Sequence, residues 1–227
     1  MAKVKFSALI SEMRNKLNGS VFSKNRAGNY LRNKVTPVNP QTSYQTAVRA
    51  LLTAASQAWR TLTEAQRLAW NSAVQNFTGT DIFGDVKTPS GINLFNKLFI
   101  NAGTIGATNL NTPPGLTSSP PVPTESVTTT TTGVVTVTDP TLTNVPSGLS
   151  LVVKMTPSVS AGKNFLKGKS RIVSVLPAGT TLPRVISADY AAKFGAIVAG
   201  EKIGYELVYI DENTFVQGPQ TSSANIN

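Results

Sequence analysis

The clearest pattern of hydrophobic and polar positions lies in residues 42–77, within a predicted helical region of residues 41–103, and there apolar residues recur every three or four positions. The first stripe of this kind consists of Tyr44, Val48, Leu51, Leu52, Ala55 and Trp59. This spacing predicts an amphipathic α-helix, because residues three and four apart share one helical face. Thr61-Leu62-Thr63 interrupts the stripe, and Thr63 with Gln66 forms a capping-box pattern that opens a second helix.

The second helix presents Trp70, Ala73, Val74 and Phe77 on one side. Because the break between the two helices is short, we predict an antiparallel helical hairpin. Its predicted core consists of Tyr44, Val48, Leu51, Trp59, Leu62, Trp70 and Phe77. Ser90 is the predicted N-cap of a third short helix, whose apolar face (Ile92, Phe95, Leu98 and Phe99) closes over the hairpin.

Residues 1–40 show strand-like alternation and turn signals instead. Asn18-Gly19 is a strong hairpin signal because both residues tolerate positive φ, and Tyr30–Val35 alternates in the strand manner. Pro37 and Pro40 end the stretch, since proline cannot donate a backbone hydrogen bond. We predict short antiparallel strands that form an N-terminal β-arm.

The remainder of the chain predicts a linker and a second domain. Residues 104–124 contain five prolines, a composition typical of an extended, semi-stiff linker. Residues 125–218 have the short strands and regular turns of a β-sandwich, and residues 219–227 are expected to form a tail with nothing to pack against. The strand candidates are Val134–Thr138, Leu149–Met155, Ser170–Leu176, Lys202–Ile210 and Thr214–Gln217. The predicted fold class is therefore α+β.

Positive charge is concentrated at the N-terminus. The first 40 residues carry eight Lys and Arg against a single Glu, a balance of +7 within a chain of net charge +10. Such a segment needs acidic partners or water around it. We interpret it as a docking arm whose assembly contacts are Lys3, Lys5, Arg14, Lys16, Phe22, Lys24, Arg26, Tyr30, Arg32 and Lys34.

The same composition argues against several classes of function. The chain has neither Cys nor His, which removes the commonest metal ligands and the commonest general base. The carboxylates are scattered, and no glycine-rich phosphate-binding loop opens a helix. We therefore predict a protein that is not an enzyme and has no cofactor or metal. No apolar run approaches the roughly 18 residues of a membrane span, so we expect no membrane association.

One region resembles a known family. The motifs are Gly-Ser-Val-Phe-Ser at Gly19–Ser23, the block Asn33–Pro40, and Trp59 through Trp70 with Leu62-Thr63 and Gln66-Arg67. Together they resemble virion-associated proteins from phages of Bacteroidetes hosts, including crAss-like phages, over about a quarter of the chain. The resemblance implies a structural virion protein, made in the host cytoplasm, with a C-terminal domain similar to immunoglobulin or fibronectin type III modules.

The favoured function is therefore a ring component of the portal-proximal neck or tail of a tailed phage, in contact with portal, tail or capsid proteins and self-associating as a cyclic homo-oligomer. One alternative is a capsid decoration protein or head fibre, in which the arm grips the shell. A second is a packaged cargo protein in contact with DNA, motivated by the +9 balance of residues 1–101. A third, motivated only by the sandwich, is a carbohydrate-binding module or hydrolase.

Overall fold

The computed structural model describes residues 2–7, 10, 12–36, 38–107, 110–115, 119–130, 132–164 and 166–226. Pro37, predicted to end the arm, lies outside these residues. The fold is mixed α+β, as predicted, with four α-helices and several antiparallel sheets in the described part of the chain. It divides into an N-terminal unit (Met1–Arg49 with Thr78–Thr88) and a C-terminal unit (Ala50–Phe77 with Pro89–Asn227).

The N-terminal unit contains a four-stranded antiparallel sheet and a small hairpin. Its strands are β1 (Ala2–Lys3), β2 (Asn15–Leu17), β3 (Ser20–Asn25), β4 (Gly28–Asn33), β5 (Gly79–Thr80) and β6 (Val86–Lys87). The first four strands are arranged in the order β1-β4-β3-β2, and β5 pairs with β6. Asn18-Gly19 forms the turn between β2 and β3, with Asn18 at φ 50°, which confirms the hairpin signal.

The helices of the C-terminal unit follow the predicted pattern. They are α1 (Ser43–Thr61), whose residues 50–61 belong to this unit, α2 (Glu64–Ala73), α3 (Gly91–Thr104) and α4 (Ser187–Phe194). The capping box at the start of α2 is confirmed: the Gln66 NH donates to Thr63 Oγ1 (3.3 Å), and the Thr63 NH donates to Gln66 Oε1 (2.8 Å).

An aromatic cluster organises the helical core. The ring of Phe95 lies 5.2 Å from that of Trp70 in an edge-on arrangement, and 5.4 Å from that of Trp59. Trp70 and Leu62 are buried, while Trp59 and Phe77 are half-buried against the same cluster. Leu51 is half-buried, and its Cδ2 packs so close to Gly103 that a Cβ there would be only 2.9 Å away.

The prediction that Tyr44 and Val48 belong to this core was wrong. Their residues are 39% and 43% exposed. The stripe of α1 continues through both positions, but the residues of α1 that pack against the buried cluster are Ala58 and Trp59, near the end of the helix. The first turns of α1 belong to the N-terminal unit, where no described residue is buried.

Two antiparallel sheets form the rest of the C-terminal unit. Their strands are β7 (Ser126–Thr129), β8 (Val135–Thr138), β9 (Leu149–Met155), β10 (Val159–Ser160), β11 (Arg171–Leu176), β12 (Arg184–Val185), β13 (Glu201–Asp211) and β14 (Gln217–Ile226). One sheet has the order β12-β8-β7; the other has the order β10-β13-β9-β11, with β14 paired to β13.

The larger sheet packs apolar side chains on both of its faces. Tyr205, Leu207 and Tyr209 of β13 share a buried cluster with Val127 and Val137 of the smaller sheet. Val208 and Ile210, on the opposite face of β13, form a second cluster with Val152 of β9. Ile105, which follows α3, packs against both this second cluster and the helical core. The arrangement is compatible with a β-sandwich that also carries helices.

The prediction that residues 219–227 have nothing to pack against was wrong. In the described part of this segment, β14 pairs with β13 along most of its length, from Gln217 opposite Ile210 to Ile226 opposite Lys202. The segment is polar and therefore gave no strand signal in the sequence. It forms a strand nevertheless, because pairing through backbone hydrogen bonds with a long neighbouring strand needs no apolar side chains.

The segment predicted to be a linker is packed inside the C-terminal unit. Among its described residues, Leu110 is buried in the helical core, and the backbone carbonyl of Asn111 accepts a hydrogen bond from Trp70 Nε1 (3.3 Å). Thr221 Oγ1 on β14 donates to the Pro123 carbonyl (2.9 Å). Residues 104–124 therefore connect the helices and the sheets of one unit and do not separate two units.

Candidate assembly surface

Strand register sorts the side chains of the N-terminal sheet onto two different faces. Residues directly opposite each other in an antiparallel pair point to the same face, and neighbours along a strand point to opposite faces. Lys16 lies opposite Val21, which lies opposite Arg32; Lys3 lies opposite Tyr30. These five residues share what we call the basic face.

The other side of the sheet is the apolar face. Phe22 lies opposite Leu31, and Leu31 also lies opposite Ala2, so the three side chains are adjacent. Leu17 projects to the same side from β2 and is 62% exposed. Lys24 shares this side by alternation along β3.

No described residue of the N-terminal unit is buried, so the unit has no core of its own. Phe22, Leu31 and Tyr30 are half-buried, and the remaining large apolar residues of the unit are half-buried or exposed. A small sheet is normally stable only when one face is covered by another layer. The apolar face therefore has surface that a further contact would bury.

The hairpin formed by β5 and β6 neutralises two of the predicted contact residues. The ammonium group of Lys3 binds the carboxylate of Asp81, whose side chain is only 9% exposed. Lys5 Nζ lies 3.1 Å from Asp85 Oδ2, and the Phe83 ring lies near both ammonium groups, 5.8 Å from that of Lys3 and 5.4 Å from that of Lys5. These partners were missed from the sequence, because nothing in it indicates that residues nearly 80 positions apart are adjacent.

Glu12, the remaining acidic residue of the unit, is also paired. Arg14 Nε donates a hydrogen bond to its carboxylate, and this bond lowers the pKa of Glu12. The unit contains ten basic and three acidic side chains, a balance of +7. Each of the three carboxylates has one cationic partner, so the positive excess has no counterpart in the described part of the unit.

The ten predicted contact residues do not form one surface. Lys3, Lys16, Tyr30 and Arg32 lie on the basic face. Lys34 joins them, because the Lys34 NH donates to the Gly19 carbonyl (2.8 Å) and so continues the β3–β4 register.

The other predicted contact residues lie elsewhere. Phe22 and Lys24 are on the apolar face, on the opposite side of the sheet. Lys5 and Arg14 lie outside the strands and pair with carboxylates, while Arg26 is exposed in the turn after β3.

A buried polar contact in the C-terminal unit was not predicted. The Tyr209 hydroxyl donates to Glu125 Oε1, and Glu125 is 2% exposed. Burial, followed by the interaction with Glu125, raises the pKa of Tyr209. Glu125 Oε2 is buried without a hydrogen-bond partner in the described residues. The contact lies beside the core that the two sheets share, and Glu125 immediately precedes β7.

Further chemistry in the described residues is sparse. They contain no group of three or more acidic, His or Cys side chains arranged to hold a metal ion. None of their helices is both long and apolar enough to cross a membrane. A groove lies beside β13 and β14, lined by residues that include Asn164, Leu166, Glu206 and Ser222. Ser170 Oγ donates to Glu206 Oε2 (3.3 Å) across this groove.

Comparison with protein-family models, with curated proteins and with solved structures found no match for this chain.

Proposed function

We propose that this chain is a non-enzymatic structural protein of a tailed-phage virion, and that it assembles through its N-terminal unit. The resemblance of residues 17–74 to virion-associated proteins of Bacteroidetes phages motivates the proposal. The N-terminal unit has the properties of a docking element: an apolar face with nothing buried against it, and a positive excess of +7. Only contacts with groups outside the unit would bury the apolar face and neutralise the positive excess.

The observation that carries the proposal is the lack of any buried residue in the described part of this four-stranded sheet. A sheet that is part of an independently stable domain buries at least one of its faces. A sheet that serves as an arm leaves that face for a neighbouring molecule. When each subunit presents the same arm to the next, the contact is heterologous, and repetition with closure generates a ring. The favoured position is therefore a ring of the portal-proximal neck or tail.

The C-terminal unit suits the wall or the projecting part of such a particle. We propose that its three-stranded and five-stranded antiparallel sheets form a sandwich of the immunoglobulin or fibronectin type III kind. Support comes from the shared core of the two sheets, to which Val127, Val137, Leu151 and Leu207 contribute. Such a module supplies rigidity without chemistry, in keeping with a structural role.

Immunogold electron microscopy of phage particles tests the proposal, with antibody raised against residues 125–217. Label at a single vertex or along the tail is the expected result and supports the ring position. Label scattered over the shell would instead support a capsid decoration protein or head fibre. Label that appears only after particles are broken would support packaged cargo. Particles without label in any state, with the antibody shown to bind the purified chain, would overturn a virion role.

A further inference from the structure

Three cations of the N-terminal sheet form one uncompensated patch. Lys16, Arg32 and Lys34 are exposed, lie on the basic face and have no carboxylate within 4.0 Å in the part of the chain that the structure describes. Lys16 and Arg32 are separated by one intervening strand, so their Cα atoms lie about 10 Å apart. Arg32 and Lys34 are two residues apart along the strand direction, or about 7 Å.

The opposite end of the basic face is already occupied. Lys3 lies there, its side chain passes over Gly28, and its charge is neutralised by Asp81 of the hairpin. A groove between the hairpin and this end of the sheet is lined by residues that include Tyr30, Thr80 and Ile82. The uncompensated charge is thus confined to the Lys16 end of the face, where Val21 is the residue between Lys16 and Arg32.

We propose that Lys16, Arg32 and Lys34 bind the phosphate backbone of duplex DNA without reading its sequence. Duplex DNA carries one negative charge per roughly 1.7 Å of helix axis, so a patch 10 Å across meets several phosphates in any register. An acidic protein would have to present three carboxylates at matching positions. The patch lies on the face of a four-stranded sheet, which is wider than the α-helix or two-stranded ribbon that the major groove admits, so readout of base edges is not expected.

A second copy of this chain is a poor occupant for the patch. The N-terminal unit has only three acidic residues, all paired with cations, and the C-terminal unit carries eleven basic and eight acidic side chains. Two copies would therefore bring like charges together. The partner must carry more negative charge than this chain offers, which a nucleic acid does. The inference rests on the proposed function, since contact with packaged DNA requires that the chain be part of the virion.

Fluorescence anisotropy of the full chain with a random 30-base-pair duplex tests the proposal between 50 and 200 mM salt. Three phosphate contacts predict a slope of about −2.7 in log K against log salt, which is a loss of about 40-fold in affinity over this range. The variant Lys16→Gln/Arg32→Gln/Lys34→Gln is expected to lose at least about 10-fold in affinity at 50 mM salt and most of this slope.

The matched control is Lys97→Gln/Arg184→Gln/Lys193→Gln, which removes the same number of Lys and Arg charges from exposed positions of the C-terminal unit. It should retain most of the affinity. Equal losses in the two variants would assign binding to net charge and overturn the patch. Absence of DNA binding at 50 mM salt would also overturn it, as would binding of polyglutamate in preference to the duplex. None of these results depends on particle labelling, so failure here is distinct from failure of the virion role.

Discussion

At the residue scale, one buried polar contact was not evident from the sequence. The chain is basic, yet this contact joins Glu125 to the Tyr209 hydroxyl. A buried carboxyl costs free energy unless it is hydrogen-bonded, and Tyr209 provides the one bond found for its side chain among the described residues. Asp139 shows the opposite situation, an accessible carboxylate with several donors.

Replacing Tyr209 with Phe should therefore destabilise the protein by about 1–3 kcal/mol, because Glu125 would be left buried without its donor. The control is Tyr205→Phe: Tyr205 belongs to the same strand and core, but its hydroxyl has no hydrogen-bond partner among the described residues. Urea unfolding of both variants measures the difference. Equal losses in free energy of unfolding would show that the hydrogen bond from Tyr209 to Glu125 adds nothing to stability beyond the effect of deleting a hydroxyl group.

Asp139 predicts a change of stability in acid. Burial alone would raise the pKa of its carboxyl, but hydrogen bonds from Thr124 Oγ1, the backbone NH groups of Leu142 and Thr141, and Thr141 Oγ1 outweigh burial and lower the pKa to about 2. The ordinary pKa of Asp is about 3.9. A lowered pKa means that the carboxylate stabilises the fold above about pH 4 and that this contribution is lost as the pH falls through about 2.

The measurement is the melting temperature of the wild type and of Asp139→Asn between pH 7 and pH 2. The wild type should be the more stable at pH 7, and the difference should shrink as the pH falls from about 4, where the carboxyl of the unfolded chain binds a proton, to about 2, where the folded carboxyl does. A difference that stays constant down to pH 2 would show that the loop is not held by the charged form of Asp139.

At the scale of secondary-structure elements, a helix is buried only where a neighbouring element covers it. Helix α2 illustrates this, because it presents a fully buried Trp70 on one side and Leu68, 64% exposed, on another. The Trp70 ring packs edge-on against Phe95 of α3, and its indole NH donates to the Asn111 carbonyl. The aromatic cluster therefore joins α2, α3 and the segment after α3.

Truncation of Trp70 to Ala should accordingly cost about 3–5 kcal/mol, since it leaves a large cavity and removes this hydrogen bond. Leu68→Ala, on the same helix, should change the free energy of unfolding by less than about 0.5 kcal/mol, because its side chain is largely in solvent. Chemical denaturation reports both values. A small effect of Trp70→Ala would mean that the cluster does not hold the helices together.

At the scale of the whole molecule, the two units differ in how they are stabilised. The C-terminal unit has three buried apolar clusters, whereas no described residue of the N-terminal unit is buried. The charge follows the same division, with +7 in the N-terminal unit and +3 in the C-terminal unit. The C-terminal unit therefore has apolar cores of its own, and the described part of the N-terminal unit has none.

If the apolar face makes the assembly contact, Phe22→Ser should abolish self-association of the full chain while its melting temperature changes little, because Phe22 is only half-buried within the chain. Val21→Ser is the matched control, since Val21 is the neighbouring residue on the opposite face of the same strand. Native mass spectrometry gives the oligomeric state. Oligomers that persist with Phe22→Ser, or that are lost equally with Val21→Ser, would contradict this role for the apolar face.

The local features of the fold were predictable from the amino-acid sequence. The capping box at Thr63 and Gln66, the Asn18-Gly19 turn, and strands such as Leu149–Met155 were predicted correctly, because each depends on residues within a few positions of one another. The amphipathic period of α1 was also correct as a helix signal. It wrongly predicted that Tyr44 and Val48 are buried, because the period of a helix does not specify how much of its length a neighbouring element covers.

The long-range pairings, by contrast, became visible only in the folded chain. The tertiary structure placed Lys3 against Asp81, made the polar C-terminal segment a strand of the larger sheet, and packed the proline-rich segment into the C-terminal unit. It also showed that the predicted contact residues lie on two faces of the sheet, which the positions of the charges in the sequence do not reveal. The physical reason is common to all of these: such contacts depend on register and on residues far apart in the chain, and composition and local spacing contain neither.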